Sequence, residues 1–188
     1  PATIQMAQRL GARRIEIACV QFQGWALKNR AALQPEREQV DRAKRIVAEA
    51  RESLKGALVI DFVPPDYYSD FPKACMNGWG STGINVTPDG TVLPCHAAET
   101  IPGMSFVKVT ETHLKEIWYD SEAFNAYRGT NWMPELCQSC DRRDIDFGGC
   151  RCQAMAVLND PAATDPVCRK SSGRAVLDAL LAQEVRSS

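Results

Sequence analysis

Residues 137–152 read CQSCDRRDIDFGGCRC, four cysteines within sixteen positions, with aspartates between the two pairs. Cys137-x2-Cys140 suits a single metal centre, because two intervening residues let the chain turn and point both sulfurs inward. Cys150-x-Cys152 is tighter, and its sulfurs share a direction if the backbone there is extended. Further cysteines stand at 19, 75, 95 and 168. A disulfide framework suits small secreted domains that cannot bury enough core, whereas this chain has 188 residues, 45% of them apolar. Scattered core cysteines are the blander reading, but seven of the eight lie beyond residue 74. Metal or cluster ligation accounts best for the crowding.

Upstream of that stretch the texture is that of an α/β fold. Residues 13–23 (RRIEIACVQFQ) predict a strand buried on both faces, with Ile15, Ile17 and Cys19 on one and Val20 and Phe22 on the other. Pro35 falls at a first helical position, and Val40, Ala43, Val47, Ala50 and Leu54 recur at steps of three and four up to Gly56. ALVIDFV (57–63) predicts a second buried strand, stopped by Pro64 and Pro65. Strand, amphipathic helix, strand is a βαβ unit and implies parallel pairing.

Past residue 70, Gly, Asn and Pro become frequent. GINVTPDGTVL (83–93) predicts a hairpin turning at Pro88-Asp89-Gly90. The returning strand carries Cys95 back toward Cys75. A short helix is expected around Leu114, Ile117 and Trp118, another from a Ser121 cap to a stop at Gly129, and an amphipathic tail helix from Arg174 to Val185. The boundary falls near 66–72, dividing an α/β part (1–70) from an irregular cysteine-rich part (71–188).

Net charge is −1, so no electrostatic footprint for nucleic acid is visible. No apolar run approaches the roughly 18 residues that span a bilayer, and no leader is seen, so a cytoplasmic location is expected. The chain opens on Pro1 and runs straight into helix-like TIQMAQRLGA, as the later part of a longer protein would. Cys19, on a buried strand, is assigned to packing. Seven thiols then remain, and two four-coordinate sites need eight ligands.

The spacing supplies an eighth. Cys137-x2-Cys140-x5-Asp146-x3-Cys150 resembles the Cys-x2-Cys-x5-Cys-x3-Cys run of the SPASM domain, which follows the barrel in one group of radical S-adenosylmethionine (SAM) enzymes. That family also carries Cys-x(9–15)-Gly-x4-Cys upstream and a last cysteine downstream; this sequence has Cys75, Gly90 and Cys95, then Cys168. Asp146 in place of a cysteine, and the extra Cys152, depart from the family pattern. The resemblance implies one auxiliary cluster on Cys75, Cys95 and Cys150, which Cys152 would complete. A second would sit on Cys137, Cys140 and Cys168, with Asp146 in the vacant place.

VQFQGWALKNRAAL, DYYSDFPKACMNGWG, HLKEIWYDSEAFNAYRG and TDPVC narrow the resemblance to the peptide cyclases of pyrroloquinoline quinone biosynthesis. It implies an enzyme that joins a Glu and a Tyr side chain of the precursor peptide PqqA by a carbon–carbon bond, with the small chaperone PqqD delivering the peptide and an electron donor serving the clusters. The implied fold is the last strands and helices of a partial radical SAM (β/α) barrel, followed by an irregular α+β SPASM domain with a hairpin and two iron–sulfur sites. One cluster is expected to be 4Fe-4S and the other 4Fe-4S or 2Fe-2S. The family's Cys-x3-Cys-x2-Cys motif for the SAM cluster does not occur in this sequence, so SAM and its 4Fe-4S cluster belong to the full-length enzyme and this chain alone is expected to be inactive.

The competing reading is a zinc-binding interaction module with a four-thiolate site on Cys137, Cys140, Cys150 and Cys152. Gln21, Gln23 and Trp25 follow the first strand at the end that faces the active site in a barrel, and are the candidates for substrate contact. His96 is expected at the surface or behind a ligand, and His113, opening a helix, is expected to be solvated. Tyr67, Tyr68 and Trp79 are expected in packing or beside a peptide channel.

Overall fold

The computed structural model describes residues 1–182. Helix α1 (Ala2–Arg9) leads into strand β1 (Arg14–Ala18), and two short helices, α2 (Gly24–Lys28) and α3 (Arg30–Leu33), precede the long α4 (Arg37–Ser53). Strand β2 (Val59–Val63) then pairs parallel with β1, Ile15 opposite Ile60 and Ile17 opposite Phe62. Helix α4 begins later than Pro35: the Glu36 N–H donates to Gln39 Oε1 at 2.9 Å, while the Pro35 carbonyl accepts from the Tyr68 hydroxyl at 2.7 Å. Ile4, Ala7, Val47, Leu58 and Ile60 form one core between the helices and the sheet. At about 2 kcal/mol per fully buried aliphatic side chain, these contacts hold α1 and α4 to the strands.

Two expectations for the strands need correction. Pairing stops where the Cys19 N–H meets the Val63 carbonyl at 2.9 Å, because Pro64 and Pro65 offer no N–H to extend the ladder. Both helices also lie on one face. Ile15 and Ile17 are half-buried there, whereas Arg14, Glu16 and Ala18 are exposed on the other, where Arg14 pairs with Asp61 at 2.6 Å. Cys19 therefore sits half-buried just beyond the strand.

The later half follows its own pattern. Strands β3 (Asn85–Val86) and β4 (Val92–Leu93) form the antiparallel hairpin. Helices α5 (Leu114–Asp120) and α6 (Glu122–Asn125) pack Ile117 and Phe124 on Val92. Ser121 stands at the start of α6, but its hydroxyl donates back to the Ile117 carbonyl at 2.6 Å and so closes α5; α6 ends four residues before Gly129. Three further short helices follow, α7 (Glu135–Gln138) with Cys137, α8 (Arg143–Asp146) with Asp146, and α9 (Arg151–Leu158) with Cys152, and α10 (Arg174–Ala182) is the last described element. Residues 183–185, expected in that last helix, lie outside the described residues. Phe22 and Tyr67, stacked at 4.4 Å, pack with Val167 and Leu177 of the tail. That junction sets the end of β1 against the cysteine-rich half.

Candidate metal centres

Cys75 opens a tight turn in which Met76, Asn77 and Gly78 all take positive φ, and Cys95 follows β4. The hairpin returns the chain as its turn chemistry requires, and the two thiols meet. The Cys75 thiol interacts with those of Cys150 and Cys95, and the Cys152 thiol with the same two. Four thiols from three segments thus form a closed ring of neighbours. Those interactions, with burial, push the Cys75 and Cys152 thiols up. Cys95 and Cys150 are held low, chiefly by Cys152 and then by Cys75. Cys150 also caps α9, its sulfur accepting from the Gln153 N–H at 3.4 Å, the placement that favours a thiolate at a helix N-terminus.

The second group lies around a separate cavity lined by Cys137, Cys140, Asp146 and Cys168. The Cys137 sulfur is 3.5 Å from Thr164 Oγ1, and Lys170 Nζ donates to Cys140 Sγ at 3.3 Å. Asp146 is buried, Oδ2 accepting from Arg142 Nε and Oδ1 from the Gly148 N–H, both at 3.1 Å. Burial pushes the Cys168 thiol up. Asp144 is exposed and pairs with Arg143, apart from the cavity.

The backbone between the groups explains why Asp146 and Cys150 face different sites. Phe147, Gly148 and Gly149 have φ of 51°, 75° and 77°, a left-handed run that reverses the chain in three residues. Such strain in a non-glycine residue persists where the surroundings hold it, often at functional sites. Here it delivers Asp146 to one group and Cys150 to the other. The four thiols of a single zinc site on Cys137, Cys140, Cys150 and Cys152 are thereby divided between two places.

Among the described residues, no three His, Cys, Asp or Glu side chains are set around a point as ligands of one metal ion. None of the eight cysteines is in a disulfide. By chemistry, four soft sulfurs in one group, and three with a carboxylate in the other, match the donors that hold iron and sulfide.

Gln21 and Gln23 line a cleft beside the thiol ring, with Lys73, His96, Cys75 and Cys150, and Gln23 Nε2 donates to Cys150 Sγ at 3.6 Å. Trp25 is not in that cleft. It is 79% exposed on α2 with Lys28 over its ring, because the turn at Gly24 starts a helix that carries the indole outward. His96 is exposed at the cleft edge and His113 is exposed at the start of α5. Tyr67 and Trp79 are core residues, the indole donating to the Ala123 carbonyl at 2.7 Å.

Sequence reasoning missed two buried charged residues. Arg151, between Cys150 and Cys152, is 2% exposed, and burial pushes its guanidinium below the ordinary value. Asp165, 1% exposed, accepts from the Cys150 N–H at 2.7 Å and the Val167 N–H at 2.8 Å, and burial pushes it up to about 7. The one available signal was an arginine flanked on both sides by thiols.

Residues 75–141 match SPASM, described as an iron–sulfur cluster-binding domain. The chain superposes on the crystal structure of Streptococcus suis SuiB bound to S-adenosylmethionine with a TM-score of 0.57, covering 89% of this chain and 41% of that one; at 16% identity the likeness is of fold. Most of this chain therefore shares its fold with that protein, and residues 75–141 carry the cluster-binding family match. By sequence the chain is homologous to the PqqA peptide cyclases. It is 65% identical to that of Ruegeria pomeroyi over 95% of this chain and 48% of the relative, and 66% identical to that of Rhizobium meliloti over 89% and 45%. The chain spans about half the length of these relatives. No helix among the described residues is long and apolar enough to cross a membrane.

Proposed function

We propose that this chain is the cluster-bearing portion of a cytoplasmic radical SAM peptide cyclase of pyrroloquinoline quinone biosynthesis, with residues 1–70 the end of its barrel and 71–188 its SPASM domain. The whole enzyme would join Glu and Tyr side chains of PqqA, delivered by PqqD and served by an electron donor. Cys75, Cys95, Cys150 and Cys152 would hold one auxiliary iron–sulfur cluster, and Cys137, Cys140, Asp146 and Cys168 the other. Such clusters supply one-electron transfer. The chain's own part is to gather these donors, Cys95, Cys152 and Asp146 of them buried, and to present a polar cleft beside them. Gln21 and Gln23 offer amide donors and acceptors to a peptide backbone, and Lys73 offers a cation to a carboxylate side chain. The observation that carries the reading is the ring of four thiols drawn from three segments of a chain homologous to PqqA peptide cyclases.

Iron, acid-labile sulfide and visible absorption of protein purified without oxygen test it. Brown protein with iron and sulfide at both groups is expected. Colourless protein with stoichiometric zinc and no sulfide would favour the structural zinc module and end this reading.

A further inference from the structure

The largest fully buried side chain among the described residues is a cation. Arg151 is flanked in sequence by Cys150 and Cys152 of one group, and its guanidinium reaches the carbonyl of Gly148, which lines the cavity of the other group with Cys137, Cys140 and Cys168. Its Nη1 donates to the Pro161 and Ala163 carbonyls at 2.9 and 2.8 Å, Nη2 donates to the Gly148 carbonyl, and the guanidinium stacks 4.5 Å from the Trp132 ring centre. Nε is buried without a hydrogen-bond partner among the described residues. Arg151 also forms no ion pair among them. The nearby Asp165 is engaged instead by the Cys150 and Val167 N–H groups and by Gln153 Nε2.

Carbonyls and an indole face satisfy a guanidinium in part, and Asp165 opposes its charge without forming an ion pair with it. A buried charge without a paired counter-ion is strongly unfavourable. Thiolate-held iron–sulfur centres are anionic, and each gains one more negative charge on reduction. We propose that Arg151 is the shared counter-charge of the two auxiliary centres, a buried cation that favours the reduced state of both and sets their potentials together. The inference rests on the cluster assignment above. It adds a positioning and tuning residue that touches neither iron nor substrate and acts through its field.

The test uses full-length enzyme purified without oxygen, with iron content and both auxiliary potentials followed by electron paramagnetic resonance during a redox titration. Arg151→Gln should retain iron and lower both potentials, each by at least about tenfold in the reduction equilibrium, ~59 mV for a one-electron couple. Arg151→Lys keeps the charge but not the fork that reaches three carbonyls, and should return both potentials most of the way to the parent values. Two unchanged potentials in Arg151→Gln would overturn the proposal, as would a shift in only one. If Arg151→Gln does not fold, Arg151→Lys decides. A folded lysine variant with near-parental potentials supports a role in charge, and one that is shifted or unfolded shows that the fork, not the charge, is required. Parent enzyme without iron at these groups would overturn the cluster assignment itself, a result distinct from iron-loaded enzyme indifferent to Arg151.

Discussion

Gly149→Ala should be among the most damaging single-methyl additions in this chain, for two separable reasons. Gly149 has φ of 77°, in the left-handed region, where an L side chain costs about 1–2 kcal/mol. A Cβ there would also overlap Asp165 Oδ2 and stand 2.8 Å from Asp165 Cβ and Cγ. That carboxylate cannot simply swing away, because it accepts from the Cys150 and Val167 N–H groups. Displacing it would weaken two charge-assisted hydrogen bonds, about 2–4 kcal/mol together. The sum is roughly 3–6 kcal/mol, a large share of the ~5–15 kcal/mol that holds an ordinary domain. Gly103 supplies the control. Its φ is 78°, and a Cβ there meets nothing within 4 Å, so Gly103→Ala should show the backbone term alone. Urea unfolding of metal-free protein, read as midpoint shifts at constant slope, measures both variants. If Gly149→Ala loses no more than Gly103→Ala, the clash with Asp165 is not real and the anchoring of Cys150 by that carboxylate is wrong.

Three other outcomes follow from the same contacts. Asp146→Cys should keep a four-iron centre with altered potential and paramagnetic signal, while Asp146→Ala should make it labile; iron content and spectra matching the parent in both would make Asp146 only the partner of Arg142 and Gly148. Cys19→Ala should leave iron and sulfide unchanged and cost about 1 kcal/mol in unfolding experiments, since the thiol is half-buried; loss of a whole cluster would mean the ligand count is wrong. Tyr67→Phe should be neutral or stabilising by up to ~1 kcal/mol, because the hydroxyl is buried without a hydrogen-bond partner among the described residues. A loss above about 1 kcal/mol in the same assay would show that the hydroxyl has a partner.

What was legible in the sequence follows rules of short range. The alternation around Ile15 and Ile17, the three-four steps from Val40 to Leu54 and the second strand were enough for a parallel pair, since each period states its own geometry. The contact of Cys75 with Cys95 follows from a hairpin whose turn residues are the usual ones. The extra length given to β1 and its supposed second buried face were misread for one reason. Hydrophobic residues such as Phe22 record that a position is buried without recording what buries it, and here Tyr67 and the tail helix do so beyond the strand. The left-handed run at 147–149 was half visible, because two glycines announce freedom of φ while Phe147 announces nothing. Arg151 and Asp165 were hidden more deeply. Arginine and aspartate are among the residues least often buried, so a local reading assigns both to solvent. Each is buried because of something distant in sequence: the Pro161 and Ala163 carbonyls for Arg151, and the Cys150 N–H, fifteen residues away, for Asp165. A cation closed inside the protein beside two sets of thiols makes sense only when the charge those thiols are built to carry is counted with it, and ligand spacing alone does not count it.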